Sequence, residues 1–243
     1  MSSNPVLAVV IPFYNEEENL ISLLRDWEPV FRAISVPYQL IFIDDGSTDG
    51  SAGRLRDLQG ADPSVEVITQ ANAGHGPAIL RGYRLAVDRR DSHEPSAEWV
   101  FQIDSDHQLD TGAFPELWKR REGYDLLLAE RVEKDASLGR GMISAISRCI
   151  VGALFGWGVR DVNSPYRLMR AGCLREALEE VPPRSFAPNV LLTAWFVLKK
   201  RRIFMTGSRP RGGDLQRRSR LNGYFLRGAV RAAFQTLLFR IRC

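Results

Sequence analysis

The feature that most constrains this chain is a pattern repeated through its first 130 residues, in which short apolar runs alternate with helix-length stretches. Residues 6–11, 39–43, 65–69, 99–103 and 125–129 are rich in Val, Ile, Leu and Phe and show little polar alternation. Runs of that length and composition are expected to be strands buried on both faces. After the first run, Asn15 is placed to cap a helix. Glu16, Glu17 and Glu18 fall in its first turn, and Leu20, Leu23, Leu24 and Trp27 follow at helical spacing. A second helix is expected near residues 77–89. Strands separated by helices imply an α/β fold, a mostly parallel central sheet covered by helices on both faces. Further along, residues 166–169 and 203–206 read as strands and 190–199 as a helix. No repeat or low-complexity linker interrupts the chain, so one domain over residues 1–213 is expected, with an appendage over 214–243.

In an open parallel sheet, ligands bind beyond the carboxyl ends of the strands. Three of the strand-like runs end in polar clusters: Pro12-Phe13-Tyr14-Asn15-Glu16, Asp44-Asp45-Gly46, and Asp104-Ser105-Asp106-His107-Gln108. A parallel sheet gathers all three at one edge and brings at least four carboxylates together. Carboxylates so gathered repel one another unless a cation sits among them. Asp104 and Asp106, with Gln108 as a further oxygen ligand, suit a hard divalent ion held by one or two carboxylates plus substrate phosphates. The Asn72-Ala73-Gly74-His75-Gly76 segment lacks the spacing of a dinucleotide fingerprint. His75 and His93 read as a loop and a surface residue.

Charge is distributed unevenly. The 33 Lys and Arg and 29 Asp and Glu give a net charge of +4, yet from Lys199 to Cys243 there are 13 basic residues against one acid, Asp214. A basic tail on an acidic body points to a polyanionic partner. The tail carries Tyr224, Phe225, Val230, Phe234, Leu237, Leu238 and Ile241, interrupted by Arg227, Arg231 and Arg240. That pattern fits an amphipathic helix whose apolar side enters the lipid boundary while arginines meet phosphates. It equally fits a helix packed on its own domain. The apolar stretch 142–157, holding Ser144, Ser147 and Arg148, carries the same pair of readings. No recognised nucleic-acid motif accompanies the charge, so nucleic acid is not expected as a partner. No window long enough to span a bilayer is free of charge. Three cysteines without metal-ligand spacing, and no basic leader or apolar signal region, place the expected location in the cytoplasm, peripheral on the cytosolic face of a membrane.

Residues 9–17 (VVIPFYNEE) and 43–51 (IDDGSTDGS) together resemble the opening of the family 2 glycosyltransferases of GT-A fold. The likeness continues through Asn72-Ala73-Gly74-His75-Gly76-Pro77-Ala78, Asp104-Ser105-Asp106-His107-Gln108 and residues 161–169 (DVNSPYRLM), and covers roughly residues 5–213. The later segments resemble the dolichyl-phosphate-mannose-synthase-like branch, which moves a sugar from a nucleotide donor to a polyprenyl phosphate. The resemblance implies a GDP- or UDP-linked donor pocket lined by Pro12, Tyr14, Glu16 and Asp44 or Asp45, with Asn72, Gly76 and Arg211 also on the donor. It implies Mg²⁺ or Mn²⁺ on Asp104, Asp106 and Gln108, and an acceptor phosphate on Arg131, Arg140 and Ser144. The chain departs from the branch at His107 and Ala129, where glycine is usual. Its late arginine motif is dispersed over Arg209, Arg211, Arg217 and Arg218.

The acceptor can be argued independently. An alcohol must lose a proton as it attacks an anomeric carbon, so transfer to a hydroxyl needs a base. Residues 181–213 contain no Asp or Glu, although Asp161 lies within reach of that role. A phosphate is already an anion and needs only cations to hold it, such as Arg131 and Arg140. The expected enzyme is therefore a metal-dependent inverting transferase acting on a polyprenyl phosphate. A family member acting on a hydroxyl of a saccharide or small metabolite is the alternative.

Overall fold

The computed structural model describes residues 5–88, 97–106, 110–131, 152, 161–208, 232 and 234–241; of Arg131 it describes the backbone. A seven-stranded sheet forms the centre: β1 Leu7–Phe13, β2 Tyr38–Asp44, β3 Val65–Thr69, β4 Trp99–Gln102, β5 Leu126–Arg131, β6 Arg167–Arg170 and β7 Ile203–Ser208. Its spatial order is β3-β2-β1-β4-β6-β5-β7. The described helices are α1 Glu17–Ala33, α2 Ser51–Ala61, α3 His75–Val87, α4 Phe114–Arg120, α5 Ala171–Glu180 and α6 Pro188–Leu198. Residues 234–241 are also helical.

The central strands are largely apolar because both faces are covered. Along β1, Ala8 and Val10 join one core with Ile41, Ile43 and the inner faces of α3, α5 and α6. Leu7, Val9, Ile11 and Phe13 point the other way, into a second core with Leu20, Leu23, Leu24, Trp27 and Phe31 of α1. That is the two-residue period of a pleated strand applied to a sheet with no wet face. The second core is strongly aromatic, with Trp27 5.4 Å from Phe101 and Phe101 4.7 Å from Phe114, ring centre to ring centre.

The sheet departs from all-parallel at one place. β6 runs antiparallel to both β4 and β5. Reversing twice restores direction, so β5 and its parallel neighbour β7 point the same way as β1, β2 and β4. With β3 parallel to β2, the carboxyl ends of six strands and the amino end of β6 therefore share one edge. That edge receives the segments following Phe13, Asp44, Thr69, Gln102, Arg131 and Ser208, and the turn that begins at Asp161.

Asn15 does not cap α1. Glu16 is the residue preceding the helix, with no side-chain cap bond. Asn15 sits in the left-handed region at φ 54° and clasps the β2 loop instead. Its Oδ1 accepts from the Thr48 backbone N–H at 2.8 Å, and its own N–H donates to Ser47 Oγ at 3.0 Å. Asparagine tolerates this backbone because its short amide bonds locally.

Candidate active site

At the shared edge lies a cavity of about 370 Å³. It is lined by Pro12, Phe13, Tyr14 and Glu16 after β1, Asp45 after β2, and Asn72, Gly74, His75 and Ala78 around the start of α3. Asp104, Ser105 and Asp106 after β4 close it. Seven of the residues expected from sequence thus converge: Pro12, Tyr14, Glu16, Asp45, Asn72, Asp104 and Asp106. Tyr14 is 46% exposed, which leaves its ring free to lie against a flat ligand at the mouth.

The two acids of β2 take different positions. Asp44 is buried, and its Oδ1 accepts from the Ser47 N–H at 2.8 Å, shaping the turn. Asp45 borders the cavity, but its carboxylate already serves the opposite wall. Oδ1 accepts from Gln70 Nε2 (2.7 Å) and Ala73 N–H (2.9 Å), and Oδ2 from Gly74 N–H (2.8 Å). Asp45 therefore fixes the 70–74 loop and, with it, the amino end of α3, the end of a helix whose dipole favours anions.

Gly76 does not line the cavity. A Cβ there would meet the Ser185 carbonyl oxygen at 2.1 Å, so glycine is present for close packing of α3 on the 182–187 loop. Asp161 is also absent from the cavity wall. Its carboxylate accepts from Asn163 N–H at 3.3 Å within the turn that leads to β6. Arg131 ends β5 opposite Ser208, on the cavity's edge of the sheet. Gln108, Arg140, Ser144, Arg209, Arg211, Arg217, Arg218, His93 and the 142–157 stretch, apart from 152, lie outside the described residues.

Three features were not legible from sequence. His75, expected as a bystander, places Nε2 3.4 Å from Asp104 Oδ1. Crowding at the mouth works to lower its pKa, but Asp104 first, and then Asp106 and Asp45, overcome this and hold it above the ordinary imidazole value. Gln102, which ends β4 fully buried, donates from Nε2 to the same Asp104 oxygen at 3.1 Å. Arg167 is fully buried on β6, its guanidinium bonded to the carbonyl oxygens of Ser164, Asn189 and Val162. The available hints were that Gln102 closes an otherwise apolar run and that His75 and Arg167 fall within the family-like segments 72–78 and 161–169.

Among the described residues, no trio of His, Cys, Asp or Glu side chains is placed to enclose a metal ion. Of the four carboxylates that line the cavity, Asp104 and Asp106 supply hard oxygen donors and no more than part of a shell. That is the donor set expected for Mg²⁺ or Mn²⁺ completed by substrate phosphates and water. It does not resemble a structural zinc or thiolate site.

A parallel α/β sheet with an acid-lined cavity at its carboxyl edge is a nucleotide-binding architecture. Among solved structures, the chain is similar to glucosyl-3-phosphoglycerate synthase from Mycobacterium tuberculosis in complex with UDP. The TM-score is 0.66 at 19% identity, covering 97% of this chain and 80% of that one. Staphylococcus aureus TarS gives a TM-score of 0.55 at 18% identity, covering 84% and 59%. These likenesses establish the GT-A fold. Residues 8–174 match the family described as Glycosyl transferase family 2, and the chain belongs to that family. Its relatives include undecaprenyl-phosphate 4-deoxy-4-formamido-L-arabinose transferases. That of Serratia proteamaculans is 29% identical over 185 residues, and that of Pectobacterium carotovorum 30% over 186, each match covering 75% of this chain. The chain spans 54% of the length of either relative.

Proposed function

We propose that this chain transfers a hexose from a GDP- or UDP-linked donor to a polyprenyl phosphate, with inversion, at the cytosolic surface of a membrane. The observation that carries the reading is the convergence of Pro12, Tyr14, Glu16 and Asn72 with Asp104 and Asp106 around one cavity. A nucleoside fits the first group, and a diphosphate the second. Asp104 and Asp106, with Gln108, would hold Mg²⁺ or Mn²⁺, which when bound supplies positive charge to the departing diphosphate.

The chain's own residues then have definable tasks. Tyr14 and Pro12 present flat surface to the base, and the amino end of α3 meets the phosphates. Arg131, on the same edge of the sheet, together with Arg140 and Ser144, would hold the acceptor phosphate, and one of the late arginines such as Arg211 the donor. An acceptor phosphate oxygen bonds to the anomeric carbon as the bond from that carbon to the diphosphate oxygen breaks. No proton is transferred, so no base is needed. Positioning the two anions in line is the main catalytic demand. The lack of any Asp or Glu from residue 181 to 213 favours this reading over attack by a hydroxyl.

Residues 1–213 would form the catalytic unit, and 214–243 the membrane-surface segment. In helix 234–241, Thr236 and Phe239 are buried, whereas Phe234, Leu237, Leu238 and Ile241 are exposed by 60, 45, 38 and 74%. Their spacing of three, four and seven residues makes one outward apolar stripe beside the exposed Arg240. A lipid surface is the partner that suits both the stripe and the basic tail. Among the described residues, no helix is long and apolar enough to cross a membrane.

The test is incubation with radiolabelled UDP- and GDP-sugars, Mn²⁺, and vesicles containing undecaprenyl or dolichyl phosphate. Label in the lipid extract, lost with Asp106→Asn, is the expected result. Label that never enters the lipid with any donor, but is transferred to a free saccharide, would establish the hydroxyl-acceptor alternative.

A further inference from the structure

Beneath Asp104 the structure holds a closed network of buried polar side chains that the proposed chemistry does not itself use. Gln102, Tyr83 and Arg167 are fully buried, and Asn189 is 4% exposed. The two ends of the Gln102 amide have opposite partners. Its Oε1 accepts from Tyr83 Oη at 2.6 Å and from Asn189 Nδ2 at 2.9 Å, while its Nε2 donates to Asp104 Oδ1 at 3.1 Å. The Tyr83 hydroxyl also reaches Asn189 Oδ1 at 3.2 Å, and a carboxylate such as that of Asp104 only accepts, so an amide turned over would set oxygen against oxygen there. The end facing Asp104 is therefore obliged to be a donor.

The supports of that amide are themselves fixed. The Asn189 carbonyl accepts from Thr193 Oγ1 at 2.9 Å and from Arg167 Nη1 at 3.2 Å. Tyr83 lies on α3, Asn189 on α6 and Arg167 on β6, so three elements pin one amide. Burying four such groups adds little to stability compared with apolar residues of the same shape, and each is destabilising if left unpaired. Arg167 also brings a buried positive charge whose field reaches Asp104 and Asp161, although burial itself works to lower its pKa. The network ends on the cavity-lining carboxylate, which is where a rigid and orienting support has a use.

We propose that Gln102 is a positioning residue for Asp104, holding the carboxylate in the orientation that receives the divalent cation, with Tyr83 and Asn189 fixing the amide. This rests on the reading of Asp104 and Asp106 as the metal carboxylates. Outer partners of this kind commonly set metal affinity by a factor of about 10–100.

The experiment measures Mn²⁺ affinity from the electron paramagnetic resonance signal of free Mn²⁺, with saturating UDP or GDP present, and nucleotide affinity without metal. The full chain is compared with Gln102→Met, Tyr83→Phe and the double variant. Gln102→Met is expected to weaken Mn²⁺ by about 10-fold or more. Tyr83→Phe should shift it in the same direction by less, and metal-free nucleotide binding should stay unchanged. The double variant removes partners from both sides of one hydrogen bond. Because the Tyr83 hydroxyl also bonds Asn189 Oδ1, the double variant should show the Mn²⁺ affinity of Gln102→Met, whatever its melting temperature. Where Gln102→Met does not fold, Tyr83→Phe alone carries the comparison. Wild-type Mn²⁺ affinity in the folded variants, or affinity that simply follows thermal stability, overturns the positioning role. A wild-type chain that binds no Mn²⁺ with either nucleotide overturns the metal reading itself, before any variant is compared.

Discussion

Two glycine-to-alanine substitutions should have opposite effects, and the sign of each is set by what surrounds the added methyl. At Gly76 a Cβ would stand 2.1 Å from the Ser185 carbonyl oxygen and 2.7 Å from that of Phe186. Both are backbone atoms and cannot turn away as a side chain would. Nor is the loop free to retreat. Ser185 is fully buried, its N–H and Oγ both bond the Pro182 carbonyl (3.1 and 2.6 Å), and the Phe186 N–H donates to Gln235 Oε1 at 2.9 Å. Overpacking ordinarily costs about 1–3 kcal/mol, and a rigid backbone neighbour puts Gly76→Ala at the upper end. In a chain of this size, about 3 kcal/mol lowers Tm by roughly 6–12 °C. At Gly53, in α2, nothing lies within 4 Å of the added Cβ. Gly53→Ala should therefore stabilise by about 0.5–1 kcal/mol through helix propensity, raising Tm by roughly 1–4 °C. Thermal melts by circular dichroism measure both. Because Gly74 and His75 border the cavity, Gly76→Ala should also weaken nucleotide binding. A Gly76→Ala protein that melts within about one degree of wild type would refute the close-packing argument.

Asp125 joins β5 to β7 through the Arg202 N–H at 3.0 Å and its guanidinium at 3.2 Å, with Arg170 3.6 Å away. Burial works to raise its pKa, but the Arg202 bonds and the charges of Arg202 and Arg170 outweigh this and hold it below the ordinary carboxylate value. The stabilisation from a depressed pKa is complete above the unfolded value and is lost as pH falls through the folded one. Asp125→Asn should therefore cost about 1–3 kcal/mol at pH 7, with the gap to wild type closing below about pH 4 in urea melts. A gap independent of pH would contradict the ion-pair account. Replacing Phe234, Leu237 and Ile241 together by Ser should reduce sedimentation with anionic liposomes at least 10-fold while leaving Tm unchanged, since each of these side chains already faces solvent. Equal sedimentation would remove the lipid role of the stripe. Asp106→Asn should abolish Mn²⁺-dependent retention of UDP or GDP, measured by calorimetry, and leave the fold intact.

Much of the architecture was legible because the sheet is buried on both faces. Residues 65–69 coincide with β3, and the expected runs at 6–11, 39–43 and 99–103 differ from β1, β2 and β4 by one or two residues at their ends. Helix α2 was not read as an element. Its stretch SAGRLRDLQGA carries two glycines and buries only Ser51, Ala52 and Leu55, so its apolar period is faint. The antiparallel course of β6 was equally invisible. Strand composition reports burial, and burial is the same in either direction.

The sequence alone determined where polar residues end apolar strands, because a carboxylate cannot be accommodated inside a dry sheet and must fall at its edge. That logic is local, and it located Tyr14, Asp45, Asp104 and Asp106 without coordinates. Only the tertiary structure decided which of these groups meet and what holds them. Asp45 turned out to brace the opposite loop, Gly76 to touch the Ser185 backbone, and His75 and Gln102 to converge on one oxygen of Asp104. Those outcomes depend on strand order and on contacts between residues as far apart as 102 and 189. Such contacts exist only after the sheet has closed and the helices have packed against it, and no spacing along the chain encodes them.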